Sequence, residues 1–168
     1  AVCEAFNGCD EVFHFAAAHH DFGIEESTFF DVNEQGLRVM TGVMEGLGIR
    51  TIMFYSTVAV YGSATPPLSE ETTPRPESFY GRSKLAGERV LEEWAEQGDQ
   101  RRCLVIRPTV TYGPNNFANM YSLLRQVDNG KFFFAKSASN IKSLSYIENI
   151  ADATLFLMDK DDAQSFEV

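Results

Sequence analysis

Long apolar runs are absent from this sequence. No stretch approaches the ~20 consecutive apolar residues of a membrane-spanning helix, and no charged-then-apolar segment resembles a secretory leader. Cysteine is also scarce: Cys3, Cys9 and Cys103 are odd in number and lack the spacing of a metal site. We therefore expect reduced thiols in a cytoplasmic protein that does not enter membranes.

Positive charge is in deficit. The 14 Lys and Arg residues face 24 Asp and Glu residues, for a net charge of −10, which disfavours non-specific binding to nucleic acid or to anionic membranes. An anionic ligand would therefore need local donors. The 168 residues, 44% hydrophobic and 23% charged, fit one globular domain.

Short apolar runs alternate with amphipathic segments before Tyr112. The runs EVFHFAAA, TIMFYS and RRCLVIRP are predicted strands, and the first suits a parallel strand buried on both faces. Helical spacing predicts helices over 25–47 and 78–96, whereas the four prolines within 62–77 predict a loop. This alternation predicts an α/β fold with a parallel sheet.

The pattern loosens after Tyr112. GPNN predicts a turn, residues 120–127 a helix, and KFFFAK and IKSLSYI short strands. IENIADATLFLMDK has the spacing of an amphipathic helix, and SFEV resembles the beginning of a strand. We expect one domain that is cut at both ends.

Four side chains suited to proton transfer surround the predicted loop. The run FYSTVAVYG predicts a buried strand that ends at Ser56 and Thr57, and Tyr80 and Lys84 share one helix face four residues apart. A phenol normally titrates near ~10, and a nearby ammonium makes it more acidic. These groups could move a proton on and off a carbinol oxygen, although a Tyr and a Lys at this spacing can also be a plain surface pair.

Five sequence blocks occur in a characteristic order: EVFHFAAAHH, DVNEQGL, FYSTVAVYG, YGRSK and VIRPTVTYGP, followed by a weaker SYIENIADA. With these blocks the sequence resembles the extended short-chain dehydrogenase/reductase superfamily, in particular its NAD-dependent epimerase/dehydratase branch, typified by nucleotide-sugar 4-epimerases. The resemblance covers nearly the whole chain. It implies a Rossmann-like α/β domain over 1–168, with a parallel sheet flanked by helices and the start of a substrate-binding region from about residue 113.

The resemblance also implies roles for individual residues. Tyr80 would be the general acid/base, Lys84 would bind the nicotinamide ribose and tune the phenol, and Thr57 would hydrogen-bond the reacting oxygen. The predicted cofactor-binding residues are Phe15, Ala16, Ala17, Asn33, Ser56, Tyr80, Lys84, Arg107 and Pro108. The predicted substrate-binding residues are His19, Thr57, Val110, Asn115 and Lys142.

Some of these positions have a purely structural alternative. Asn33 could cap or break its helix, and Arg107 and Pro108 could simply end a strand. Lys142 stands where many nucleotide-sugar epimerases have an Arg directed at the diphosphate, and Val110 stands where they frequently have an Asn. Val110 therefore weakens the prediction of a nucleotide-sugar substrate relative to that of the redox chemistry.

The glycine-rich turn that holds the dinucleotide pyrophosphate in this family is not in the sequence. Gly42, Gly46 and Gly48 lie in and after a predicted helix, and we interpret them as helix packing and helix termination. The chain begins about where the third or fourth strand of the family would come, so we expect the strand beside EVFHFAAA to precede it. Without this turn, the chain alone lacks the backbone that would hold the pyrophosphate of a dinucleotide.

A metal site is not expected. His14, His19, His20 and Asp21 are close in sequence, but His14 alternates within a strand and no second cluster completes a coordination shell. His19 and His20 are predicted at the mouth of the cleft instead.

The function implied by the resemblance is epimerase or dehydratase chemistry on a nucleotide sugar, with NAD, or alternatively NADP, as cofactor. One alternative is a reductase or dehydrogenase of a non-nucleotide alcohol, which Val110 favours. Another is a non-catalytic binding or assembly module, which the missing glycine-rich turn favours. The resemblance further implies a homodimer formed through the helices 25–47 and 78–96.

Overall fold

The structure, a computed structural model, describes residues 2–19, 23–133, 141–160 and 164–168. The chain divides into two compact units: one extends to Arg107 and includes the C-terminal segment, and the other is Pro108–Lys160. Their grouping into one partial NAD(P)-binding domain stays a prediction.

Six strands occur in the described residues: β1 (Glu11–His14), β2 (Thr51–Tyr55), β3 (Arg102–Ile106), β4 (Val110–Tyr112), β5 (Leu144–Tyr146) and β6 (Phe166–Glu167). In the first unit, β1, β2, β3 and β6 form one sheet in that order, and every neighbouring pair is parallel. Parallel neighbours need crossover connections, which the helices between them provide. The predicted α/β architecture with a parallel sheet flanked by helices is confirmed.

The helices of the described residues are α1 (Val2–Phe6), α2 (Glu26–Phe30), α3 (Gly36–Leu47), α4 (Phe79–Glu96), α5 (Asn119–Asp128) and α6 (Ile147–Met158). The single helix predicted over 25–47 is interrupted by a π-helical turn, Asp31–Gln35, between α2 and α3. Gly48 ends α3 with a left-handed φ of 76°, as predicted.

The core of the first unit lies between the sheet, α3 and α4. Its side chains are mostly aliphatic, because strands covered by helices must be apolar on the covered face. The buried cluster consists of Val12, Leu37, Met44, Ile49, Ile52, Phe54, Val90, Leu91, Trp94, Ala95, Cys103 and Val105.

Two details of the sequence prediction are wrong. β1 is not buried on both faces: Val12 and His14 are buried, whereas Phe13, which alternates to the opposite face, is 39% exposed. Gly42 and Gly46 serve no helix packing within the part of the chain that the structure describes, since a Cβ at either position would meet none of its atoms within 4 Å.

The second unit contains a small parallel sheet. β4 pairs with β5, the Thr109 and Ser145 hydroxyls are 2.6 Å apart, and the rings of Tyr112 and Tyr146 lie 5.5 Å apart. β4 was missed, because three residues so soon after Pro108 give no strand signal. The KFFFAK strand is wrong for 131–133, which have no regular structure, and its other residues lie outside those described.

Candidate active site

The predicted site residues of the first unit follow the carboxyl ends of its parallel strands. Phe15 follows β1, Ser56 follows β2 and Arg107 follows β3. Because these strands are parallel neighbours, their carboxyl ends meet at one edge of the sheet, which is where open α/β sheets bind ligands.

Thr57 begins a short 3₁₀ helix, Val58–Tyr61, at this edge. Its backbone is extended, with φ −167° and ψ 147°, and its Oγ1 accepts a hydrogen bond of 3.2 Å from the Ala59 N–H. A threonine before a helical turn caps it in this way, since the hydroxyl oxygen satisfies an unpaired backbone donor. The cap therefore holds the predicted catalytic hydroxyl in place.

The first turn of α4 packs against this 3₁₀ helix. Ser78 caps α4, its Oγ accepting a hydrogen bond of 3.0 Å from the Gly81 N–H. A Cβ at Gly81 would lie 2.7 Å from the Ala59 carbonyl oxygen, so only glycine permits this approach. The turn that carries the half-buried Tyr80 is thus in direct contact with the segment that Thr57 begins.

Lys84 lies one turn further along α4 and is buried, with an exposed fraction of 1%. Its Nζ lies 4.0 Å from the centroid of the Phe54 ring, a cation–π contact that stabilises a cation in a poorly solvated place. Burial lowers the pKa of Lys84 to about 8, against the opposing effect of the negative charge of Glu88. The ammonium form therefore predominates at neutral pH.

Glu88 is the functional candidate that the sequence analysis missed. It is 3% exposed, and its carboxylate accepts hydrogen bonds from Ser56 Oγ, from Arg107 Nε at 3.0 Å and from Arg107 Nη2 at 2.6 Å. The signal was its position four residues after Lys84, which places a carboxylate on the face shared with Tyr80.

Arg107 is held by two partners. Besides the bidentate pair with Glu88, its Nη1 donates a hydrogen bond of 2.8 Å to Tyr61 Oη. Burial alone would lower the pKa of Arg107, but the hydrogen bonds to Glu88 and Tyr61 and the charge of Glu88 raise it above its ordinary value. That Arg107 also contacts a cofactor stays a prediction.

Asn33 connects the segment after β1 to α4. It is 1% exposed; its Oδ1 accepts a bond of 2.8 Å from the Ala18 N–H, and its Nδ2 donates to the Ala18 carbonyl at 3.0 Å and to Ser83 Oγ at 2.9 Å. Ser83 Oγ in turn donates to the Tyr80 carbonyl at 2.9 Å. All three Asn33 contacts are tertiary. Its cofactor role stays a prediction.

His14 is buried at the end of β1, with its ring stacked on that of Phe54 at a centroid distance of 5.7 Å. Burial, with a further contribution from the charge of Lys84, lowers the pKa of His14 to about 4. The imidazole is therefore neutral near pH 7. Its Nε2 is buried without a hydrogen-bond partner among the described residues.

The segment after β1 carries the remaining candidates of the first unit. Phe15 is 62% exposed with its ring 4.6 Å from that of Tyr55, Ala16 is exposed and Ala17 half-buried. His19 is exposed, and its Nδ1 lies 3.4 Å from the Ala17 carbonyl oxygen. His20 and Asp21 lie outside the described residues.

Within the described ranges, no group of three or more His, Cys, Asp or Glu side chains is arranged to hold a metal ion. The same part of the chain contains no helix with the length and apolarity required to span a membrane.

The family model for the NAD dependent epimerase/dehydratase family matches residues 1–168. The chain belongs to this family. The family match confirms the resemblance drawn from the five ordered blocks.

Two curated relatives illustrate the similarity. An N-acetyl-alpha-D-glucosaminyl-diphospho-ditrans,octacis-undecaprenol 4-epimerase of Escherichia coli O157:H7 is 38% identical over 169 residues, which cover 100% of this chain and 51% of that protein. A UDP-glucose 4-epimerase of Vibrio cholerae is 32% identical over 156 residues, covering 88% of this chain and 47% of that protein. The chain thus spans about half the length of these relatives.

Solved structures of other proteins share the fold of this chain. The UDP-glucuronic acid 4-epimerase of Bacillus cereus, solved with UDP-glucuronic acid and NAD, has a TM-score of 0.86 at 19% identity, covering 99% of this chain and 55% of that one. The Rossmann-like class predicted from the sequence is confirmed by this match.

The remaining predicted residues of this epimerase/dehydratase family member belong to the second unit. Val110 is half-buried in β4, opposite Leu144 of β5. Asn115 is exposed in a turn with a left-handed φ of 63°, Lys142 is exposed and Pro108 is half-buried. Their cofactor and substrate roles stay predictions.

Proposed function

We propose that the full-length protein is an NAD-dependent epimerase or dehydratase that acts on a nucleotide sugar. Its family and the functions of its named relatives support this substrate class. The observation that carries the proposal is the buried Lys84 ammonium one turn from Tyr80, on a helix whose first turn packs against the segment beginning at Thr57.

In this proposal, Tyr80 removes the proton from a sugar hydroxyl as that carbon is oxidised and, in an epimerase, returns a proton to the same oxygen when the carbon is reduced again. The positive charge of Lys84 favours the phenolate form of Tyr80. Thr57 donates a hydrogen bond to the reacting oxygen. When bound, NAD would supply the hydride acceptor and, once reduced, the hydride donor.

The residues of the first unit fit the nicotinamide half of such a cofactor. In this proposal, the Lys84 ammonium binds the ribose hydroxyls, and the exposed Phe15 ring and the Ala16 and Ala17 backbone, which follow β1, contact the cofactor. Ser56 and Asn33 anchor the adjoining segments, and Arg107 follows the neighbouring strand β3. Pro108, the first residue of the second unit, comes directly after Arg107. The pyrophosphate-binding turn is not part of this sequence, so binding is proposed for the full-length protein.

Substrate contacts are proposed for His19 at the carboxyl edge of the sheet and for Val110, Asn115 and Lys142 in the second unit. Lys142 would bind a diphosphate as a point charge, with less directional grip than an Arg. Val110 offers the substrate only an apolar contact.

A sugar on a lipid diphosphate is the second candidate substrate. The name of the Escherichia coli relative, at 38% identity over the whole chain, specifies an undecaprenol-linked sugar. Both candidates share a hexose attached to a diphosphate, so the proposed roles of Tyr80, Lys84 and Thr57 apply to either.

We also propose a homodimer formed through α2–α3 and α4, the helical regions predicted from the sequence. Val32 and Val39 are exposed seven residues apart along this helical run, at 41% and 58%.

The test is to incubate the full-length protein with NAD and either UDP-linked hexoses or a polyprenyl-diphosphate-linked N-acetylhexosamine. Epimer or dehydrated sugar without net accumulation of reduced cofactor is the expected result. Net reduced cofactor would contradict it and favour the alcohol dehydrogenase alternative. Absence of both turnover and NAD binding by calorimetry would favour the non-catalytic module.

A further inference from the structure

We infer that Glu88 and Arg107 form a positioning pair that holds Thr57 against the helix carrying Tyr80 and Lys84. The inference rests on the proposed function, because it assigns residues that orient the same site.

The first step concerns the segment 56–61, which contains Thr57. Its two ends are both attached to the pair: Ser56 Oγ donates to the Glu88 carboxylate, and Tyr61 Oη accepts from Arg107 Nη1 at 2.8 Å. The pair itself is joined by two hydrogen bonds, from Arg107 Nε and Nη2. A bidentate arginine–carboxylate pair fixes the relative direction of the two side chains as well as their distance. Both ends of the segment are therefore hydrogen-bonded to one rigid pair.

The second step concerns the middle of the segment. Ala59 lies so close to α4 that a Cβ at Gly81 would come within 2.7 Å of its carbonyl oxygen. Glu88 lies on the same helix, two turns after Tyr80. The segment therefore meets α4 at two levels, and loosening either one would shift the Thr57 hydroxyl relative to the Tyr80 phenol.

The third step concerns energy. The side chains of Arg107 and Glu88 are only 9% and 4% exposed. A buried ion pair often adds little net stability, because desolvation offsets the attraction. The measurable effect of this pair is thus expected in the geometry of the site, where a displacement of ~1 Å can cost ~100-fold in rate.

The experiment compares two variants in the full-length protein. Glu88→Gln keeps the shape but removes the charge, and Tyr61→Phe removes only the hydroxyl that Arg107 contacts. Glu92→Gln is the matched control, one turn further along α4 and exposed. The measurements are kcat, the dissociation constant for NAD, and amide hydrogen exchange at Ala59, whose N–H bonds to Thr57 Oγ1.

We expect kcat to fall ~10-fold or more in Glu88→Gln and ~3-fold in Tyr61→Phe, with NAD affinity changed less than kcat in both. Amide exchange at Ala59 should be faster in both variants, and Glu92→Gln should change none of the three. If Glu88→Gln does not fold, Tyr61→Phe alone decides the matter.

Unchanged kcat and unchanged Ala59 exchange in Tyr61→Phe would overturn the inference, as would a loss that appears only in NAD affinity. If the unmodified protein turns over no sugar, the proposed function has failed. In that case the exchange rate at Ala59 still decides whether the pair holds the segment.

Discussion

Lys84 is mainly cationic near neutral pH although its side chain is buried, where a charged group loses its hydration. Its Nζ contacts the Phe54 ring, neutral His14 stacks on the same ring, and the nearest negative charge on its own helix is Glu88. With a pKa of about 8, the ammonium form of Lys84 still predominates despite this burial.

The pKa of Lys84 makes a prediction about stability. Because the folded value of about 8 is below the ordinary 10.5, the folded protein binds fewer protons than the unfolded chain between these values. Its free energy of unfolding should therefore rise through this window, relative to a Lys84→Met variant. We expect a relative gain of about 2 kcal/mol from about pH 7.5 to about pH 9.5.

Urea unfolding of both proteins at the two pH values measures this gain. The Lys84→Met variant serves as the control for the unmodified protein, because it retains every other group that titrates in the window. A difference that stays constant with pH would show that Lys84 titrates as an exposed lysine does.

Residue types were predictable at this site, but their partners were not. The four-residue spacing of Tyr80 and Lys84 is visible in the sequence. The contact of Glu88 with Arg107 joins residues 19 apart, and it depends on α4 lying over the end of β3. Such a pairing is tertiary information, so a strand-end Arg gave no indication that its side chain would turn toward a helix.

At the scale of elements, α4 was predicted best. It runs over Phe79–Glu96 against a prediction of 78–96, with Ser78 as its cap, because cap, periodicity and the following Gly98 all agree. The loop over 62–77 also follows from its prolines. The π-helical turn Asp31–Gln35 was not predictable, since its sequence reads as ordinary helix.

Glycines in α4 and α3 should respond in opposite ways to substitution by alanine. A Cβ at Gly87 would lie 2.8 Å from both the Asn33 carbonyl oxygen and Leu37 Cδ1. Overpacking of this kind costs about 1–3 kcal/mol, which outweighs the gain in helix propensity of about 1 kcal/mol. We therefore expect Gly87→Ala to lower the free energy of unfolding.

Gly42→Ala in α3 is the matched control, because its Cβ would meet no atom of the described residues within 4 Å. This variant should be unchanged or more stable by up to about 1 kcal/mol. Chemical denaturation measures both. A stabilised Gly87→Ala would show that α4 and the Asn33 turn are not in the close contact described.

At the scale of the whole molecule, the proposed homodimer makes a prediction about oligomeric state. Val39 is 58% exposed on α3, and a glutamate there would bring an unpaired charge into an interface formed by that helix. We expect the full-length protein to be a dimer by light scattering and Val39→Glu to be largely monomeric.

Leu68→Glu provides the control, because Leu68 is 39% exposed in the loop and lies outside both helices. It should leave the dimer intact. A monomeric unmodified protein, or a Val39→Glu variant that stays dimeric, would exclude the proposed interface.

The most direct measurement for the proposed chemistry is the turnover of Tyr80→Phe in the full-length protein, with NAD binding measured on the same sample. Tyr121→Phe, a tyrosine of α5, is the control. We predict that Tyr80→Phe loses ~100-fold or more in kcat, as expected for a general acid/base, while its NAD affinity stays within about twofold. Near-normal turnover by Tyr80→Phe would contradict the assignment.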